Sequence, residues 1–476
     1  MQTQRSLRWA VAGFATFAFG CGSTTESGFP PDNSGMDGGI ALDEAGNPVV
    51  AGMDGGKGAC VGIKCNQVTC PGGGTTSVSG TAYAPNGKLP LYNVIAYIPN
   101  GKPDALIEGV TCDKCGSIAS GNPIVTALSD SSGKFKLTNV PVGDNIPLVL
   151  QVGKWRRQVV IPHVAKCVDT PLTDPQLTRL PAKRSEGDMP HIAVTTGGYD
   201  SMACLLPKMG IDPSEFGVEA DLATKRVIFF QGEPGQSPRW GAMTSAETFW
   251  NDPVKLKKFD VTILSCEGSE HLENKQDPAR ASMDAYLKAG GRALGTDFMY
   301  TWFRLGPPPL PTTAVSWYGG APFDNSQTYD VDTTFPKGKA LGEWLTVVGA
   351  SPSPGKLPLP VAFSNLSKAN MSISQRWVSG GSDQNGQPTD KVFTFNTPIG
   401  AAPDAQCGKA VFLDAHVGIT SAQGDIVDST YPAGCNDSSG KPAELNPAEK
   451  AFVFFLMDLS SCIQPDNGMV TPPPVK

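Results

Sequence analysis

The hydrophobic period of this chain changes near residue 185, and that change constrains the fold more than any other feature. Before it, apolar residues recur at every second position in short runs. In Lys134-Phe135-Lys136-Leu137-Thr138, Phe135 and Leu137 point one way and the lysines the other. Val94-Ile95-Ala96-Tyr97-Ile98 is apolar on both faces, as a buried strand should be. Pro85-Asn86-Gly87, Asn100-Gly101 and Ser131-Ser132-Gly133 supply turns between the runs. This spacing predicts an antiparallel β-sandwich over residues 59–184.

After residue 188 the short apolar runs alternate with helical patterns. The runs are His191–Thr195, Val227–Phe230, Val261–Cys266, Arg292–Thr296 and Ala410–Asp414. Asp252-Pro253 and Asp277-Pro278 each place a capping acceptor before a proline at the first helical position. Asn446-Pro447 with Glu449 reads as a capping box, and Phe452, Phe455, Leu456 and Leu459 follow on one helical face. Strands alternating with helices predict an α/β domain over 188–462, a flavodoxin-like parallel sheet covered on both sides. Residues 305–408 are rich in Pro, Gly, Ser and Thr and read as a β-rich insertion before the fifth strand. Residues 463–476 read as a tail. The chain is thus expected to be multidomain.

The amino terminus sets the compartment. Arg5 and Arg8 precede a short apolar run, Trp9 to Phe19, which ends at Ala18-Phe19-Gly20-Cys21. This is the pattern of an export signal, too short to span a bilayer comfortably. It resembles the bacterial lipobox, with Ala18 where that motif usually has Leu. The resemblance implies a signal peptide over 1–21, with Cys21 as the lipidated first residue of the mature chain. The alternative is an ordinary cleaved signal beside a free cysteine. Gly22 is not the Asp that commonly retains such proteins at the inner membrane, so the resemblance implies the cell outer membrane. Residues 22–58 carry few large apolar side chains and read as a flexible tether.

Twelve cysteines suit an oxidising compartment better than a reducing one. Zinc is the competing reading of Cys60, Cys65, Cys70, Cys112 and Cys115, but an export signal precedes them. Cys60, Cys65, Cys70, Cys112, Cys115 and Cys167 are expected to pair among themselves. Cys435 and Cys462 flank the last helix and are expected to tie it down. With Cys21 set aside the number is odd, and Cys266, which ends a buried strand, is the expected free thiol. The net charge of −7, without a long basic run, speaks against nucleic acid as a partner.

Two resemblances follow from particular segments. Val78-Ser79-Gly80-Thr81-Ala82-Tyr83, Pro90-Leu91-Tyr92-Asn93-Val94, Gly133-Lys134-Phe135 and Val140-Pro141-Val142-Gly143 resemble the carboxypeptidase regulatory-like domain. That implies a prealbumin-like sandwich with a carbohydrate-binding-like fold, usually without catalytic function. Phe259–Leu264, Ala285–Thr296 and Ala410–His416 resemble segments of the ThuA-like branch of the class I glutamine amidotransferase-like fold. Amidotransferases have a nucleophilic Cys where this chain has Asp297, and ThuA-like members have His there; His416 is kept. The order of the parts resembles that of cysteine-rich lipoproteins of myxobacterial type.

In open α/β sheets ligands sit beyond the carboxyl ends of the strands. That rule collects Tyr199, Asp200, Glu267, Asp297, Tyr300, Asp414 and His416 as candidates for ligand binding or catalysis. Three carboxylates and a histidine could hold a divalent cation or work as acid and base. The plainer reading is that they cap loops and strand ends. Glu267 and His271, four apart, are too few for a zinc site. Lys154-Trp155-Arg156-Arg157 could grip an acidic or sugar ligand, or simply be an exposed strand face. No P-loop, H-E-x-x-H or G-x-S-x-G is present. The expected function is a ligand-binding or scaffolding lipoprotein, the ligand a carbohydrate or peptide and the membrane held through the lipid. The alternative is a hydrolase-like enzyme using the strand-end carboxylates and His416.

Overall fold

The computed structural model describes residues 60–200, 202–233, 241–418 and 431–475. The expected signal segment, Cys21 and the tether 22–58 lie outside them.

The first half builds two sheets from seven strands: β1 Ser77–Thr81, β2 Ile95–Pro99, β3 Pro123–Leu128, β4 Lys134–Thr138, β5 Gly143–Val152, β6 Trp155–Val164 and β7 Asp169–Leu172. One sheet has the order β4-β1-β7 and the other β3-β2-β5-β6. Period two decides which residues enter the core. In β4 only Phe135 and Leu137 are buried. In β2, Ala96 and Ile98 join the main core, while Ile95 and Tyr97 meet Ala119 and Val149 on the other face. The expectation of purely antiparallel sheets needs one correction. β7 runs parallel to β1. The chain leaves β6 in one sheet and crosses to the other, and a crossover of that kind can return a strand parallel to its neighbour.

The second half contributes β8 Ile192–Thr195, β9 Phe216–Val218, β10 Val227–Phe230, β11 Val261–Leu264, β12 Arg292–Thr296, β13 Phe323–Asp324, β14 Thr328–Val331, β15 Lys356–Pro358, β16 Ala362–Phe363, β17 Gln375–Ser382, β18 Pro388–Thr397 and β19 Gly408–Leu413. Its helices are α1 Pro175–Thr178, at the junction with the first half, then α2 Met202–Lys208, α3 Ala246–Trp250, α4 Pro253–Leu256, α5 Asp277–Lys288, α6 Thr301–Arg304, α7 Pro336–Val347 and α8 Pro447–Ser460. Ten strands form one sheet in the order β15-β14-β17-β18-β19-β12-β11-β8-β10-β9. From β9 to β19 every pairing is parallel. From β19 to β15 every pairing is antiparallel.

The sheet is therefore mixed, where a parallel sheet with a β-rich insertion was expected. Within residues 305–408, β13 and β16 form a two-stranded sheet of their own, and the remaining strands extend the main sheet. β18 pairs with β19 over six residues, and β17, β14 and β15 continue outward. β19 would otherwise be an open edge, and a run such as Val392-Phe393-Thr394-Phe395 satisfies it.

Alternate residues of the parallel strands feed two cores. Ile192, Val194, Val261, Ile263 and Val411 face α2, α7 and α8. Ala193, Ile228, Phe230, Ala293 and Phe412 face α3 to α6. The first of these cores is continuous with that of the two smaller sheets. At the junction Tyr92 stacks on Phe454 with centroids 5.8 Å apart, and Trp344 donates to the Pro90 carbonyl at 2.7 Å. From Cys60 onward the chain forms one compact unit.

The capping box of α8 is present, with Asn446 accepting from Glu449 N and Glu449 accepting from Asn446 N. α5 departs from expectation. Gln276 occupies its cap without a side-chain bond, and Asp277, one residue inside, pairs with Arg280 at 3.1 Å. Beyond α5, Gly290 has a φ of 117°. A Cβ there would lie 2.3 Å from the Thr111 carbonyl, so only glycine lets the loop of the first half come this close.

Five disulfides form among the described residues: Cys60–Cys65, Cys70–Cys167, Cys112–Cys407, Cys115–Cys462 and Cys204–Cys435. The expected pairing within the first half fails for Cys112 and Cys115. Their loop projects onto the second half, where Cys407 precedes β19 and Cys462 follows α8. Cys435 ties to Cys204 in α2, leaving Cys462 for Cys115. The buried Cys266 is free. Residues beyond Cys462 also return to the first half, with Ile463 N donating to Asp113 O and Thr126 Oγ1 to Pro473 O.

The cationic run of β6 is neither an exposed face nor a ligand grip. Trp155 is fully buried, Lys154 pairs with Asp260 at 2.6 Å and Arg156 with Asp188 at 2.9 Å. Arg157 donates to the carbonyls of Gln176 and Arg179. These cations serve internal contacts, some of them to the second half.

Candidate functional site

Five chain segments meet at the carboxyl ends of β8, β11, β12 and β19, where each strand stops and its next residues turn across the sheet edge. β8 is followed by Tyr199 and Asp200, β11 by Cys266, and β12 by Asp297. β19 is followed by Asp414 and His416. The segment after β16 adds Asn365. Apart from the half-buried Tyr199, every one of these residues is at most 2 % exposed.

Asp297 is the hub. Its Oδ2 accepts from Cys266 Sγ at 3.2 Å and lies 2.9 Å from His416 Nε2. Its Oδ1 accepts from Asn365 Nδ2 at 2.8 Å. The same amide nitrogen donates to Asp414 Oδ1 at 2.8 Å, and Asn365 N donates to Asp414 Oδ2 at 2.7 Å. Asn365 thus stands as a donor between the two carboxylates. That amide fills the place a hard cation bridging Asp297 and Asp414 would need. Asp297 itself has a φ of 38° at the turn from β12 into a 3-10 helix, Asp297–Tyr300. A non-glycine residue in that region carries strain of order 1–3 kcal/mol, tolerated only where the surroundings over-determine it.

Asp200 knits the strand ends together. It accepts from Cys266 N at 2.9 Å, from Val417 N at 2.7 Å and from the Thr296 hydroxyl. The His416 ring lies between those of Phe363 and Tyr199, with centroids 4.8 and 5.9 Å away. Its Nδ1 is buried without a hydrogen-bond partner among the described residues.

Burial dominates the electrostatics. It raises the Asp200 carboxyl above its ordinary range against the opposing pull of His416. It pushes Asp414 up to about 7, with the Lys391 ammonium working the other way. The Cys266 thiol is raised far above the usual range, first by burial and then by the charges of Asp297 and Asp200. It is therefore a protonated donor and no ready nucleophile. For His416, burial disfavours the imidazolium, but the hydrogen bond to Asp297 and the charges of Asp200, Asp297 and Asp414 outweigh it and raise the pKa.

Two of the expected residues are engaged elsewhere. Glu267 forms a buried ion pair with Lys275 and accepts from Glu233 N at 2.9 Å. Tyr300 donates to Glu270 and accepts from Gly320 N at 2.8 Å. His271 pairs with Glu273 rather than with Glu267. The residues that sequence reasoning missed are Asn365 and Thr296, together with the place of Cys266 in the network. Asn365 carries no local signal, since its role depends on residues 305–408 folding back onto β19.

No protein-family model matches this chain, and no curated protein matches it. Among solved structures, faint similarities occur. A type II cohesin–X-dockerin complex from Acetivibrio cellulolyticus matches at 15 % identity over 32 % of this chain and 88 % of that one, with a TM-score of 0.15. A ThuA-like protein from Bacteroides uniformis ATCC 8492 matches at 11 % identity over 47 % of this chain and 80 % of that one, with a TM-score of 0.25. Likenesses at these scores carry no argument about activity.

Proposed function

We propose that this chain is an exported lipoprotein with a ligand-binding or scaffolding role, held at the outer membrane by an acyl group on Cys21. The observation that carries the reading is the disulfide set. Ten cysteines pair in five bridges, two of which join the first half of the chain to the second. Structural bridges of this number belong to oxidising compartments, which agrees with the export signal. In finer terms the first half is read as a regulatory-like sandwich. The second is read as a flavodoxin-like unit, because β10-β8-β11-β12-β19 follow the doubly wound order 2-1-3-4-5. The ligand classes that suit such a module are carbohydrates and peptides. The closed polar network favours binding or scaffolding over turnover, because each carboxylate oxygen of Asp200, Asp297 and Asp414 already has a donor.

One observation favours the hydrolase-like reading. Asp297 sits at positive φ on a strand-to-helix turn, 2.9 Å from His416, as a carboxylate nucleophile and a histidine that activates the hydrolytic water would. Turnover would then require the network to open.

The test is cell fractionation with mass spectrometry of the mature amino terminus. Wild-type protein should follow the membranes and carry acyl mass on Cys21, and Cys21→Ser should abolish both. Unacylated wild-type protein found only in soluble fractions overturns the anchor. Turnover of ester, peptide or glycoside substrates that disappears in Asp297→Asn would replace the binding role with the enzymatic one.

A further inference from the structure

Beyond that role, we infer that Cys266, Asp297 and His416 form a transition-metal site, with zinc the ion that the donor set fits. The three residues follow three different strands of the sheet. One ligand atom from each, Sγ, a carboxylate oxygen and an imidazole nitrogen, lies within 4.8 Å of the others. Zinc bonds of about 2.0–2.3 Å at tetrahedral angles place neighbouring ligand atoms roughly 3.3–3.8 Å apart. The present separations from Asp297 Oδ2, 3.2 Å to Sγ and 2.9 Å to Nε2, lie close to that spacing, while Sγ and the ring nitrogen, within 4.8 Å of each other, must close by up to about an ångström.

The chemistry of the set selects the ion. Calcium and magnesium take oxygen ligands. A thiolate with an imidazole and one carboxylate is a borderline-soft set, suited to zinc. Binding exchanges protons for the metal. The Cys266 S–H and any proton on His416 Nε2 leave to solvent, and their bonds to Asp297 give way to bonds to the ion. The carboxyls of Asp200 and Asp414 are buried beside Asp297, and a divalent charge there would favour their ionised forms.

The other ring nitrogen of His416, Nδ1, is buried without a partner among the described residues, and with Nε2 on the ion it points away from it and takes no part in the coordination. An outer shell is already built. Asn365 Nδ2 holds Asp297 Oδ1 at 2.8 Å, and Gly268 N donates to Cys266 Sγ at 3.2 Å. Asn365 is thus a positioning residue, fixing the carboxylate while its other oxygen faces the ion.

The test uses the full chain, purified without reductant so that the bridges stay intact, stripped with chelator and titrated with zinc and with cobalt. About one zinc per chain should bind, with proton release. The cobalt form should show a thiolate-to-metal charge-transfer band and the visible bands of a tetrahedral site. Cys266→Ser should remove the charge-transfer band. Asn365→Ala should weaken zinc binding about 10–100-fold while leaving the band in place at saturation. Wild-type protein that binds no stoichiometric zinc, or a cobalt spectrum without thiolate ligation, overturns the site. Both readouts are made on wild-type protein, so the result stands even if a variant fails to fold.

Discussion

At the scale of single residues, the strand-end network has its own titration. Asp414 is held at about 7, above its ordinary 3.8, chiefly by burial. Its folded form keeps a proton that the unfolded chain releases earlier. Stability should therefore fall as pH rises from about 4 to about 7, the window between the two values. His416 acts in the same direction at higher pH. Its raised pKa contributes stability that is complete below about 6.5, the unfolded value, and is lost as pH climbs through the folded one. The stability difference between metal-free wild type and metal-free Asp414→Asn, read from urea unfolding across pH 4 to 9, should show the Asp414 decline, because His191, whose pKa burial lowers to about 4, adds an opposite trend to the wild-type profile between about pH 4 and 6.5. A difference that rises between about pH 4 and 7 would contradict the protonation scheme. Cys266 gives a second residue-scale expectation. As a buried free thiol it should resist alkylation in the native protein and react at once in denaturant.

At the scale of elements, α7, α8, β18 and β19 are joined by a buried ionic network. Lys337 pairs with Asp458 at 2.7 Å and with Asp466 at 3.4 Å, and Lys409 pairs with both carboxylates. Thr394 donates to Asp466 at 2.6 Å. Burial alone would raise the Asp458 carboxyl, but the two lysines hold it far below its usual range. Its contribution should be present above the unfolded carboxylate value and lost only in strong acid. Asp458→Asn leaves two lysines short of a partner in a dry interior, and should cost about 3–5 kcal/mol in equilibrium unfolding. A loss below about 1 kcal/mol, the range of exposed pairs, would mean that water reaches the network. Nothing local in the sequence marked these lysines. Lys337 lies in the first turn of a helix and Lys409 near the start of a strand, and such lysines are usually solvated.

At the scale of the whole molecule, the first half is fastened to the second by Cys112–Cys407, Cys115–Cys462 and the Lys154–Asp260 pair. Peptide mapping under non-reducing conditions should recover both bridges. Replacing Cys112, Cys115, Cys407 and Cys462 together by Ser should lower stability by several kcal/mol, about 2–5 for each bridge lost. The two halves share one apolar core, so they should still unfold in a single transition. Two separated transitions would show that the bridges, rather than the core, hold the halves together.

Local period and local chemistry decided much of this in the sequence itself. Alternation over five residues is enough to say that Phe135 and Leu137 turn inward, because successive side chains in a strand must point to opposite faces. Asn446, Pro447 and Glu449 are enough to start α8, because a cap is satisfied within one turn. The rule that parallel strands end on one edge brought Asp200, Asp297, Asp414 and His416 to one place, because it depends only on strand direction. What the sequence did not contain was any pairing between distant segments. The partners of Cys112 and Cys115 lie 295 and 347 residues away, and spacing says nothing about a contact that a folded surface creates. Asn365 reaches Asp297 only because residues 305–408 continue the sheet past β19, a choice made by an unsatisfied strand edge. Lys154, just before β6, turns inward because the second half presents Asp260 to it, and Arg156 because Asp188 does. Each of these depends on tertiary packing, where burial leaves a polar group no water to bond and so obliges it to find whichever partner the fold has brought near.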